Sequence, residues 1–157
     1  MMGEVVLSSQ QSEVLDQVEN SVDHVFITGR AGTGKTTLLQ AFVENTTKQV
    51  AVCAPTGVAA LAVGGQTIHS LLRLPLGIIG SRELGFIPKE SLAVLAHLDA
   101  LVIDEVSMVS ADVLDALDKR LRQAKRRRNT AFGGVQLVMF GDPYQLAPVV
   151  SGQAEKA

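Results

Sequence analysis

Residues 29–36 read Gly29-Arg30-Ala31-Gly32-Thr33-Gly34-Lys35-Thr36, which fits G-x-x-x-x-G-K-[ST], the pattern of a loop that cradles phosphates. The apolar run Val25-Phe26-Ile27-Thr28 leads in with the character of a strand, and Thr37-Leu38-Leu39-Gln40-Ala41-Phe42-Val43 leads out at helical spacing. Each residue type answers a physical need. Gly29, Gly32 and Gly34 admit backbone conformations that a Cβ forbids, so successive N–H groups can face one anion. A helix starting near Lys35 adds its unpaired N–H groups and the positive end of its dipole. Lys35 supplies a mobile cation for the β- and γ-phosphates, and the Thr36 hydroxyl a ligand for Mg²⁺. The candidate nucleotide-contacting set in this stretch is Gly29, Ala31, Gly32, Thr33, Gly34, Lys35, Thr36 and Thr37.

At 157 residues, 46% of them hydrophobic, the chain suits one domain with one core. Its one cysteine, Cys53, sits in an apolar run; it allows no intrachain disulfide and suits a reducing cytosol. No apolar stretch approaches the ~18 residues of a membrane span, so no membrane partner is expected. The expected location is cytoplasmic, with the nucleoid as the site of action in a bacterium. The net charge of −2 is uninformative, but its distribution is not: seven of the 14 Lys and Arg residues fall between Lys119 and Arg128, where no acidic residue interrupts them.

Outward from the loop, the chain alternates strands and helices. Ser8 and Gln11 have the spacing of a capping box ahead of a helix whose face is Val14, Leu15, Val18 and Val22. The alternative for Gln11 sets its amide on the edge of an adenine, where it can both donate and accept. Val50–Ala54 reads as a second buried strand, broken by Pro55-Thr56-Gly57, and Val58–Val63 as a short helix. Gly64-Gly65 turns the chain into another helical turn carrying His69, which by itself reads as a packed or solvated residue. Residues 73–90 show no sustained period and form an excursion longer than most connections, tacked to the core through Leu74, Ile78, Ile79 and Phe86.

Ala100-Leu101-Val102-Ile103 delivers Asp104-Glu105 to a strand's C-terminal end, where ligands of parallel α/β sheets sit. Downstream of a phosphate loop, Asp104 is the candidate to hold Mg²⁺, and Glu105 the candidate to orient and deprotonate an attacking water. Ser110 caps the following helix, whose basic end complements the helix dipole or, alternatively, meets phosphate backbone. Val135–Phe140 is a further strand, followed by Asp142 and Gln145 as candidates to sense a γ-phosphate. The fold expected from the residues is α/β: a P-loop domain with a parallel sheet and helices on both faces.

Seven segments carry a resemblance that runs in order along nearly the whole chain: Leu7-Ser8-x-x-Gln11, 26–36, Ala54-Pro55-Thr56-Gly57-Val58-Ala59-Ala60, 64–70, Asp104-Glu105-Val106-Ser107-Met108, Phe132-Gly133-Gly134 and Gly141-Asp142-x-x-Gln145-Leu146-x-Pro148-Val149. They resemble the superfamily 1 DNA helicases of the 5′-to-3′ branch, the Pif type more closely than the RecD type. The resemblance implies ATP and Mg²⁺ as cofactors and single-stranded DNA as partner. It implies adenine recognition by Gln11, DNA contacts from Pro55, Thr56, Gly57 and His69, and coupling of the γ-phosphate to DNA by Gln145. It also places a strand-separating wedge at the 73–90 excursion. Because the family has two RecA-like domains, residues 1–157 are expected to be the first, shortened at its C-terminal end, with the second as partner. The competing reading is a nucleotide-gated DNA- or protein-binding module without productive turnover.

Overall fold

The computed structural model describes residues 7–29, 34–75 and 84–142. The chain passes in order through α1 (Ser9–Glu19), β1 (Val25–Thr28), α2 (Lys35–Asn45), β2 (Val50–Ala54), α3 (Gly57–Ala62), β3 (Gln66–Thr67), α4 (Ile68–Leu72), α5 (Lys89–Ala96), β4 (Ala100–Ile103), α6 (Ala111–Lys125) and β5 (Gln136–Gly141). Single 3₁₀ turns, Val106–Met108 and Ala131–Gly134, precede α6 and β5. The helix starts follow from the sequence: Ser8, Thr56, Thr67 and Ser110 each accept a backbone N–H of the first turn through the side chain.

The strands form one five-stranded sheet in the order β1-β5-β4-β2-β3, every pair parallel. Alternation along a strand splits the core in two. Leu101 and Ile103 face the layer of α4, α5 and α6, among Ile68, Leu72, Leu95, Leu117 and Leu121. Ala100 and Val102 face α1 and α2, among Val18, Leu38, Leu39 and Phe42. Covered on both sides, β4 is buried at all four positions, which is why it reads as an unbroken apolar run. The expected RecA-like sheet with helices on both faces is the fold found.

Several local expectations need correction. Val22 is 83% exposed, because α1 ends at Glu19 with Asn20 as its cap, one turn before Val22 could join the face. Phe86, expected on the core, is 86% exposed; the core contact is made by its neighbour Ile87, 8% exposed. Ile78 and Ile79 lie outside the described residues. The two-residue strand β3 escapes a periodicity argument, since two residues carry no period. Arg120, counted with the basic surface, is 1% exposed. Lys119 and Arg122 pair with Asp115 and Asp118 one turn back, so three of the seven clustered cations have partners within the fold. β1 is the sheet's edge among the described residues, with Phe26 48% exposed.

Polar contacts lock the opposite end of the sheet. The Lys48 ammonium donates to the carbonyls of Val18 and Ser21 and to Oε1 of Gln136, at 2.9, 2.6 and 2.6 Å. Gln136, 2% exposed in an otherwise apolar strand, sends its amide N–H to Asp23 at 2.8 Å. These contacts fix the turn between α1 and β1, and through it the seat of α1 beside the phosphate loop.

Candidate functional site

Parallel registers bring the strand ends together. Thr28 stands beside Gly141, Ile103 beside Met139, Cys53 beside Ile103, and Ala54 beside Thr67. The loops after β1, β2, β4 and β5 therefore leave from one edge of the sheet. With β5 between them, the phosphate loop and Asp104 leave strands two spacings apart, about 10 Å. That separation suits side chains converging on one phosphate-bound ion from opposite sides.

Gly34 ends the phosphate loop in the left-handed conformation, φ 86° and ψ 16°, as the N-cap of α2. A Cβ there would be strained and would stand 3.1 Å from the Gln11 amide nitrogen. Lys35, Thr36 and Thr37 occupy the first turn of α2, where N–H groups lack helical acceptors. Ala31, Gly32 and Thr33 lie outside the described residues, while Gly29 and Gly34 flank them. A cavity of about 240 Å³ opens here, lined by residues including Gln11, Ile27, Thr28, Gly29, Gly34, Lys35 and Leu38. It joins an apolar floor to a cationic, N–H-rich wall, a combination that fits a nucleotide.

Both sequence readings of Gln11 have geometry behind them. The capping box is formed: Gln11 N–H donates to Ser8 Oγ at 3.1 Å, and Ser8 N–H to Gln11 Oε1 at 2.9 Å. That bond orients the amide and leaves its nitrogen toward Gly34, on the wall of the cavity.

Across the sheet edge, Asp104 continues β4 and donates its N–H to the Cys53 carbonyl at 2.9 Å. Glu105 takes a left-handed conformation at φ 53° and ψ 41°. Non-glycine residues adopt it at a cost, and such positions cluster at functional sites. The twist ends the strand and starts the 3₁₀ turn, so Asp104 and Glu105 do not simply alternate as strand neighbours. The hydroxyl of Ser107, in that turn, is buried without a hydrogen-bond partner among the described residues. Ser107 lies in the 104–108 segment that carries the resemblance, but the sequence assigns it no role of its own. Asp142, 6% exposed, follows β5 between the two loops; Gln145 lies outside the described residues. Burial pushes the Cys53 thiol up to about 12, which keeps it protonated and inert behind the site.

No cluster of three or more His, Cys, Asp or Glu side chains forms a metal cage among the described residues. The expected donor set, Thr36 and Asp104, needs none, since Mg²⁺ is ordinarily held by one or two carboxylates, phosphate oxygens and water.

The residues expected to meet DNA line the β2 and β3 side of the same edge. Thr56 and Gly57 are exposed and Pro55 and His69 half-buried. The Thr56 hydroxyl accepts from Ala59 N–H at 3.2 Å as the cap of α3; Thr67 caps α4 in the same way at 3.1 Å. A Cβ on Gly57 would meet nothing within 4 Å, so the backbone there is open to a close approach. The threonine-plus-three spacing is the signal by which Thr67 could have been separated from its neighbours.

The 29–36 segment joining β1 to α2 of a parallel sheet, with an acidic pair after β4 two strands away, defines a RecA-like P-loop domain. The chain belongs to the PIF1-like helicase family, whose model it matches over residues 6–157. It is 40% identical to the ATP-dependent DNA helicase PIF1 of Candida albicans, over 96% of this chain and 17% of that protein. It is 35% identical to the ATP-dependent DNA helicase RRM3 of Saccharomyces cerevisiae, over 92% of this chain and 21% of that one. The Bacteroides Pif1 helicase solved with ADP-AlF3 and single-stranded DNA superposes with a TM-score of 0.89 at 38% identity, covering 98% of this chain and 36% of that chain. The chain thus spans about a fifth of the length of these curated relatives.

Proposed function

We propose that residues 1–157 form the first RecA-like motor domain of an ATP-dependent 5′-to-3′ DNA helicase. In this reading the domain binds ATP and Mg²⁺, engages single-stranded DNA, and works against a second RecA-like domain. The observation that carries it is the meeting of Gly34-Lys35 and Asp104-Glu105 on one sheet edge, with the Gln11 amide set against Gly34. Support comes also from the Bacteroides Pif1 relative, which was solved with a nucleotide analogue and single-stranded DNA together.

When bound, Mg²⁺-ATP supplies a γ-phosphoryl group open to attack by water. Lys35 neutralises charge on the phosphates, and the N–H groups of 29–37 hold them in place. Thr36 and Asp104 hold the ion. Glu105 orients water and accepts its proton. Gln11 reads the adenine edge. Gln145 links the γ-phosphate position to the DNA loops at Pro55, Thr56, Gly57 and His69. The excursion at 73–90 acts where strands part.

The test is titration calorimetry and phosphate release. Lys35→Ala should weaken ATP binding about 10- to 100-fold, as befits a hydrogen bond to a charged group. In a protein containing both motor domains, Glu105→Gln should keep binding and reduce DNA-stimulated turnover about 10²- to 10⁴-fold. Equal ATP affinity in wild type and Lys35→Ala would refute the site. Tight ATP-dependent DNA binding without turnover in the two-domain protein would select the nucleotide-gated binding module instead. Because an arginine from a neighbouring element typically contributes about 10³–10⁵ in rate, the 157-residue chain alone should turn over very slowly. DNA-stimulated turnover by that chain at about 1 s⁻¹, an ordinary enzyme rate, would remove the need for a second domain.

A further inference from the structure

Arg120 is the most deeply buried charged side chain among the described residues, at 1% exposure, and the ATP and DNA chemistry makes no use of it. Its five N–H donors meet five oxygens. Nε donates to the Leu72 carbonyl at 2.8 Å; Nη2 donates to Arg73 and Leu84 carbonyls at 3.1 and 3.0 Å. Nη1 donates to the Gly85 carbonyl at 3.3 Å and to Gln123 Oε1 at 3.1 Å. The planar guanidinium is thereby satisfied in full.

The four carbonyls belong to two separate stretches. Leu72 and Arg73 are where the chain leaves α4; Leu84 and Gly85 are where it returns toward α5. They are the two roots of the 73–90 excursion. Both are turned by left-handed residues, Arg73 at φ 53° and Gly85 at φ 81°. Among the described residues no backbone–backbone hydrogen bond joins one root to the other. Leu74 and Ile87 press into the same apolar cluster, but apolar contact has no direction and does not set register. One rigid fork supplies the direction.

The host element matters equally. α6 follows Asp104-Glu105 after a single 3₁₀ turn, and Arg120 lies ten residues beyond its Ser110 cap, about 15 Å along the axis. The carboxylate end of the nucleotide site and the base of the excursion are thus fastened to one helix. A buried charge is a weak way to add stability, because desolvation opposes its gains. What it adds is fixed geometry.

We propose that Arg120 is a positioning residue that clamps the two roots of the excursion, Leu72-Arg73 and Leu84-Gly85, to α6 and fixes those roots relative to the nucleotide site, so that ATP turnover is converted into strand separation. This rests on the motor reading given above.

The experiment pairs a spectroscopic with a functional readout in a protein containing both motor domains. A nitroxide placed on Phe86→Cys (86% exposed) reports the root, and one on Leu61→Cys (83% exposed) serves as control; Cys53, at 0% exposure, does not compete for label. Arg120→Gln and Arg120→Lys should both raise label mobility at position 86 and leave position 61 unchanged, because a lysine offers three donors from one point and cannot span both roots. Unwinding per ATP consumed should fall about 10- to 100-fold, the scale on which misplaced groups act. DNA-stimulated ATP turnover and its KM should stay within about twofold. Gln123→Leu, at an exposed position, should give a smaller change in the same direction, and decides the matter if the Arg120 variants do not fold. Unchanged mobility at position 86 would overturn the proposal, as would parallel loss of turnover and unwinding. Absence of DNA-stimulated turnover in the unsubstituted protein would instead count against the motor reading, while the label comparison would still decide the clamp.

Discussion

The side-chain amide nitrogen of Gln11 lies 3.1 Å from the point where a Cβ on Gly34 would stand. The first turn of α1 and the last glycine of the phosphate loop are therefore in contact, although 23 positions separate them in sequence. The capping bond from Ser8 N–H to Gln11 Oε1 holds the amide in that orientation. A local helix-start signal thus doubles as a device for presenting a donor at the mouth of the cavity.

This makes the two roles of Gln11 separable. Ser8→Ala removes the N-cap oxygen and should cost about 1 kcal/mol of stability without changing the preference for ATP over GTP. Gln11→Ala should in addition lower ATP affinity relative to GTP by about 3- to 10-fold, the range of one hydrogen bond. Competition titrations with the two nucleotides read the difference. An unchanged ATP-to-GTP ratio in Gln11→Ala would confine Gln11 to capping.

Two glycines should respond oppositely to alanine. Gly133 has φ 63°, and a Cβ on it would stand 2.5 Å from the Leu121 carbonyl oxygen and 2.9 Å from Lys125 Cβ. Left-handed strain and overpacking together should destabilise Gly133→Ala by about 2–5 kcal/mol. At Gly57, in the first turn of α3, a Cβ meets nothing within 4 Å; alanine there should be neutral or stabilising by up to about 1 kcal/mol. Urea unfolding of the two variants measures both. If Gly57→Ala keeps its stability but weakens binding of a single-stranded oligonucleotide, the open approach at Gly57 is used by DNA.

Glu19 carries a pH dependence. Hydrogen bonds from the Thr46 and Thr47 side chains, and from Thr47 N–H at 2.9 Å, hold its carboxyl below the ordinary value of 4.5. A depressed folded-state pKa contributes stability above the unfolded-state value, lost as pH falls through the folded-state value. Thermal unfolding of wild type and Glu19→Gln should therefore differ most from neutral pH down to about 5, and the gap should close below the folded-state pKa. A gap that persisted or widened in acid would place the sensitivity elsewhere.

Much of the site is legible in one dimension because its parts are local. The loop 29–36 announces itself through glycine spacing and its Lys-Thr ending, and Asp104-Glu105 through position at the end of an apolar run. The Ser8–Gln11 box spans one helical turn. These signals are short-range, and among the described residues Gly29 follows β1, Gly34 caps α2, Asp104-Glu105 follows β4, and Ser8 caps α1. The apolar runs at 50–54, 100–103 and 135–140 likewise announce a parallel sheet, since a strand covered on both faces has no polar side to alternate with.

Arg120 shows where that legibility ends. In sequence it stands among seven clustered cations and is indistinguishable from them, because burial depends on which face of α6 meets the core and on carbonyls some 35 to 48 positions away. Phe86 and Ile87 are likewise adjacent apolar residues, and only the packing of the excursion's root decides that one is buried and the other not. The sequence by itself determined the phosphate loop, the acidic pair, the alternating α/β order and the family, all of which rest on short-range spacing. The tertiary structure alone decided strand order, the contact of Gln11 with Gly34, and the clamp of Arg120 on two distant turns. Those depend on non-local contacts, whose partners are chosen by how the layers pack and not by any pattern along the chain.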